Sequence, residues 1–107
     1  MKNIIPGHKY VLANFEDQGN NNDNTGQTVQ FIQKELSMDG VTFETVANGT
    51  TNEEVIVMLL DRLNFLNQKM PCRENSVAIT HLETALLWLQ SRTKNRERRG
   101  VEGTPNP

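Results

Sequence analysis

The feature that most limits what this chain can fold into is a change of hydrophobic period at Thr51. Downstream of it, apolar residues recur at helical spacing as far as Arg99, with one interruption at Pro71. Thr51, with Glu54 three positions later, has the form of a capping box, in which hydroxyl and carboxylate satisfy amides otherwise unpaired at a helix start. The spacing therefore predicts a helix from about Asn52 to Lys69. Pro71 ends it, because proline has no amide proton and disfavours helical geometry in the residue before it. A second helix is expected from near Glu74 to Arg99, where Gly100 supplies a left-handed cap and cations suit the negative end of the dipole. Two helices with so short a connection make an antiparallel hairpin.

Upstream of Thr51 the period is two. HKYVLANF and QTVQFIQ trade apolar for polar residues about every second position, and GVTFETV, opened by Gly40, does the same until an Asn48-Gly49 turn. The EDQGNNNDNTG tract between the first two runs has no apolar residue and is expected to be a turn. These runs predict a three-stranded antiparallel sheet with one polar face. The expectation is an α+β fold, one domain over residues 1–107: strands to residue 49, the hairpin over 50–99, and a tail over 100–107.

Composition bounds the function. A chain of 107 residues holds one modest core, and 36% apolar residues make that core thin, a condition that oligomerisation relieves. Net charge is only −2, so the protein as a whole has no claim on nucleic acid or an anionic membrane. The charge is uneven: five of the eleven basic residues, Arg92, Lys94, Arg96, Arg98 and Arg99, fall in the last sixteen positions. A single cysteine, Cys72, excludes an internal disulfide, and His8 and His81 lie too far apart for ligand spacing. No signal-peptide h-region or membrane-length apolar run is present, so the expected compartment is the cytoplasm. Asn48-Gly49-Thr50 matches the glycosylation acceptor pattern but reads better as a turn.

Advancing about 100° per residue, Val55, Leu59, Leu63, Leu66 and Met70 form one stripe on the first helix, expected to be core. Met58 and Phe65 project away from it. Phe65 either packs under the sheet or against a second subunit, or it is a stacking platform for a flat ring. On the second helix Ala78, Leu82, Ala85 and Leu89 form the stripe, and its continuation brings round Arg92 and Arg96. Paired guanidiniums one turn apart suit phosphates, each offering a planar fork of donors to paired oxygens. The rival reading is that cations near a helix C-terminus serve the dipole alone. Lys94 and Arg98 point elsewhere and Arg99 falls just outside the stripe. Glu53, Glu54 and Asp61 suggest paired carboxylates, but the first two fit capping and dipole roles better and no nucleophile or metal partner is nearby; His81 at the stripe's edge is expected to be a packed polar residue. No phosphate loop, dinucleotide fingerprint or metal motif is readable, so no active site is expected.

The stretch GTTNEEVIVMLLDRLNFLNQKMPCRENSVAITHLETALLWLQSRTKNRERRGVEGT, residues 49–104, resembles the helical hairpin of the phage-encoded Thoeris anti-defence proteins. ENSVAITHLETALLWLQSRT with the trailing RGVEGT is its specific part, and HKYVLANFE and VQFIQK are similar to the family's N-terminal strands. The anti-CBASS sponges are more distant relatives. The resemblance implies a non-enzymatic signal sponge without cofactor, acting in the cytoplasm of the infected host. It would bind glycocyclic ADP-ribose made by a TIR-domain enzyme, without degrading it. It further implies that Phe65 stacks on the adenine, Asn75 bonds the ligand, and Arg92 and Arg96 take the phosphates. Family members are dimers or hexamers, and hexameric ones also bind cyclic di- or trinucleotides at separate sites. Two competing classes remain open from the residues: a nucleic-acid-binding hairpin using all five cations, and a purely structural oligomeric module.

Overall fold

A computed structural model describes residues 1–16 and 26–100. The Asn/Gly turn and the C-terminal tail expected from sequence fall on residues outside these. The chain divides into two compact units, Met1–Thr51 and Asn52–Pro107.

The first unit contains two small sheets. Strands β1 (Lys2–Ile5), β2 (Lys9–Leu12) and β3 (Gln27–Gln30) form an antiparallel sheet in that order, with Tyr10 opposite Asn3 on one side and Val29 on the other. Strands β4 (Gln33–Leu36) and β5 (Phe43–Ala47) form a separate antiparallel pair. The three-stranded antiparallel sheet is present, but its membership differs from the sequence expectation: β1 belongs to it and Phe43–Ala47 does not. The β1–β2 connection is a Pro6-Gly7 turn closed by the His8 amide donating to the Ile5 carbonyl at 2.9 Å.

The second difference has its cause at Phe31 and Ile32, where the chain changes partner. The Phe31 amide donates to the His8 carbonyl, whereas the next amide, Ile32, donates to Thr50 and the Thr50 amide donates back to Gln30. Residues before this point pair with β2, and those after it run on into β4 beside β5. Gly49 is required at the crossing because a Cβ there would collide with the Gln30 carbonyl and the Phe31 backbone. Val11 is buried, and Tyr10 meets Phe31 edge to face with ring centroids 6.0 Å apart.

The second unit is the expected hairpin: α1 spans Asn52–Lys69 and α2 spans Arg73–Arg98. Helix α1 starts directly after Thr51, and Gly100 takes a φ of 70° just past the C-cap Arg99. In the turn, the Asn67 side chain accepts from the Cys72 amide at 3.0 Å and donates to Ser76 Oγ at 3.2 Å. Cys72 caps α2, its sulfur accepting from the Asn75 amide at 3.4 Å.

The protected row of α1 is Ile56, Leu60, Leu63 and Asn67, and that of α2 is Asn75, Ile79, Leu82, Leu86, Leu89, Thr93 and Arg96. The alternating four- and three-residue steps are those of a coiled-coil seam. Ala78, Leu82, Ala85 and Leu89 are half-buried as expected. The α1 stripe is corrected: Val55, Leu63 and Leu66 are half-buried, but Leu59 and Met70 are exposed. An apolar-only stripe omits Asn67, whose polar side chain ties the turn. His81, expected to be packed, is exposed.

Candidate functional site

The residues singled out from sequence lie at the two ends of the hairpin. Phe65 stands one turn before the end of α1 and is 51% exposed, so it is off the seam as expected. Lys69, one turn on, places Nζ 4.6 Å from the ring centroid, a cation–π contact over the aromatic face. Asn75 lies in the first turn of α2, half-buried, its backbone fixed by the Cys72 cap. One end of the hairpin thus carries an aromatic face and an amide.

The other end carries the cations. Trp88, Ser91, Arg92, Asn95, Arg96 and Arg99 line an open concavity of ≈ 380 Å³ on α2. A single helix is convex, and the concavity arises because short Ser91 and Asn95 sit between the long side chains of Trp88 and the arginines. Arg92 is exposed and Arg96 half-buried. Lys94 and Arg98 are outside this lining, so the basic cluster divides as its angular positions require. The dipole accounts for Arg96 and Arg98 equally, both being in the last turn. It does not account for three guanidiniums around one concavity.

Trp88, Ser91, Asn95 and Arg99 line the concavity without being among the candidates read from sequence. Angles measured from the apolar stripe set Arg99 just outside it, yet measured from Arg92 it comes round within about 20°. The usable signal was the spacing Trp88, Ser91, Arg92, Asn95, Arg96, Arg99, a row on one helical face.

The two halves do not meet within one chain. Asn75 and Arg92 are seventeen residues apart on the same straight element, about 25 Å at 1.5 Å per residue. Phe65 belongs to the Asn75 end, because α1 closes onto the turn four residues after it. Among the described residues, no group of three His, Cys, Asp or Glu side chains is placed to hold a metal ion. No described helix is long and apolar enough to cross a membrane.

Comparison with known proteins adds two findings. A family model described as "Acb2/Tad1, hairpin domain" matches residues 35–94, a span that includes Phe65, Asn75 and Arg92 and ends just short of Arg96. A protein of Bacillus phage SBSphiJ7 named Thoeris anti-defense 1 is 54% identical over 66 residues, 61% of this chain. The matched stretch spans about half of that relative, 46% of its length.

Proposed function

The chain belongs to the Acb2/Tad1 hairpin-domain family, and from that premise we propose that it is a phage or prophage anti-defence protein acting against Thoeris. On this reading it binds a cyclic ADP-ribose signal made by a bacterial TIR-domain enzyme and keeps it from the defence effector. It does not degrade the signal. The work is done in the cytoplasm of the infected host, and cyclic di- or trinucleotides are a second ligand class at separate sites.

The observation that carries the reading is the concavity on α2, with Arg92 and Arg96 in its wall. Guanidinium forks bind a diphosphate by charge-assisted hydrogen bonds, with each phosphate taking donors along one edge. Exposed Phe65 offers a ring face to an adenine, and Asn75 an amide beside it.

A separation of about 25 Å exceeds the span of a cyclised ADP-ribose, so the four residues reach one ligand only across two chains. Two hairpins placed antiparallel would bring the Phe65 end of one copy to the Arg92 end of its partner. Such an isologous arrangement would form the site twice. The exposed apolar residues of the hairpin support association: Val57, Met58, Val77, Leu87 and Trp88 are all between 42% and 73% exposed.

Native mass spectrometry of the protein incubated with the product of a TIR-domain enzyme tests the reading. The expected spectrum contains an assembly of at least two chains carrying ligand of unchanged mass. Bare protein at every ligand concentration would refute it. Binding of a short nucleic acid that weakens steeply with salt would favour the nucleic-acid class.

A further inference from the structure

We propose that Arg99 is a third phosphate-binding guanidinium of this site, a role that its position outside the apolar stripe conceals. The inference rests on the reading of the α2 concavity as the phosphate half of a nucleotide site. Arg99 lines that concavity together with Arg92 and Arg96. Its Nε donates to Asn95 Oδ1 at 2.9 Å, and its backbone amide donates to the Asn95 carbonyl at 3.1 Å. Both ends of Arg99 are thus tied to the residue that forms the concavity's floor. Bonding through Nε orients the paired Nη groups, the edge with which a guanidinium grips a phosphate.

The angular arrangement explains what the third arm adds. Seen down α2, Arg96 is about 40° to one side of Arg92 and Arg99 about 20° to the other, two turns along. Asn95 lies about 60° from Arg92 on the same side as Arg99, so Arg99 comes between Arg92 and Asn95 on the helix face, beyond both other arginines along the axis. A diphosphate has two charged phosphates joined by a bridging oxygen, and Arg99 adds a fork of donors from the C-terminal end of the row, while Trp88 closes the far end about three turns back. Arg98, adjacent in sequence, lies outside the lining and controls for the general field of the basic segment.

Calorimetric titration of the full chain with glycocyclic ADP-ribose, and separately with inorganic pyrophosphate, tests this. Arg99→Ala should weaken both by about tenfold or more, the range for a lost hydrogen bond to a charged group. Arg99→Lys, which keeps the charge but loses the fork, should fall between wild type and Arg99→Ala. Arg98→Ala should change either by less than about threefold, being screened. Circular dichroism would confirm that each variant retains its helices. If Arg99→Ala and Arg98→Ala are indistinguishable with both probes, the third arm is refuted and the sponge reading stands. If wild type binds pyrophosphate with the Arg99 dependence but not the cyclic nucleotide, the sponge reading falls and the third arm stands. Wild-type protein that binds neither would overturn both.

Discussion

A site assembled from two chains makes a prediction that no single-chain site shares. Take two defective proteins, Phe65→Ala and the double variant Arg92→Ala/Arg96→Ala. Within one chain these residues are about 25 Å apart along the hairpin, so each variant keeps one half of the site intact. In an isologous pair made of one chain of each kind, one site receives both defective halves and the other receives both intact halves. Random exchange yields about half mixed pairs, each with one good site out of two, so about a quarter of all sites recover. Loss of Phe65 alone should cost about 1–3 kcal/mol, by analogy with bases stacked on aromatic side chains. Loss of an arginine should cost about 1.5–3 kcal/mol, that is about 10- to 150-fold in affinity. At ligand concentrations near the wild-type dissociation constant, each variant alone therefore binds well below wild type. After mixing, mild unfolding and refolding together, the calorimetric site number should rise to about 0.25 of wild type, with wild-type affinity. A mixture that binds only as the average of its components would refute the shared site.

Further outcomes follow from the same geometry. Arg92→Ala and Arg96→Ala should each weaken binding by about 10- to 150-fold, whereas Arg98→Ala, outside the concavity, should stay well under tenfold at physiological salt. Calorimetry of the three variants checks this, and equal losses would indicate a diffuse field in place of a clamp. Sedimentation at micromolar concentration should find at least a dimer, because Leu87 and Trp88 are 66% and 73% exposed on one chain. A stable 12.1 kDa monomer would count against that. In the β4–β5 loop, the Asp39 carboxylate accepts from the Ser37 hydroxyl and from the Val41 and Thr42 amides, bonds that hold its pKa below the usual 3.8. The charged form is favoured in the folded loop, so this contribution is present above the ordinary value and lost as pH falls through the lowered one. The amide resonances of Val41 and Thr42 should therefore hold steady above about pH 5 and move only in more acid solution. Movement centred near neutral pH would contradict it.

Helix limits were legible to within a residue because each is set by local chemistry. Thr51 precedes the start of α1, Pro71 separates the helices, and Gly100 takes the left-handed conformation past the end of α2. Strand partners were not legible, because pairing is a long-range choice. The run QTVQFIQ reads as one alternating strand, yet its amides switch from His8 to Thr50 between Phe31 and Ile32. Strand β1 had a local signal in Pro6-Gly7, a turn dipeptide that closes onto β2 through the His8 amide and the Ile5 carbonyl. At the site, Arg92 and Arg96 were visible as a continuation of the apolar stripe. Arg99 was not, because the concavity follows the Trp88–Asn95 meridian and not that of Ala78 and Leu82. That the Phe65 and Asn75 end lies about 25 Å from Arg92 needs the length of α2, which spacing along a helical wheel leaves out.

The central claim is sequestration without turnover, and the recovery of ligand tests it most directly. Protein is incubated with a stoichiometric amount of glycocyclic ADP-ribose until the free signal disappears, then denatured by heat, and the supernatant is assayed by mass spectrometry. The account predicts that the signal returns with its mass and ring intact, in the amount added. Recovery of linear ADP-ribose or another cleaved product, increasing with incubation time, would contradict it.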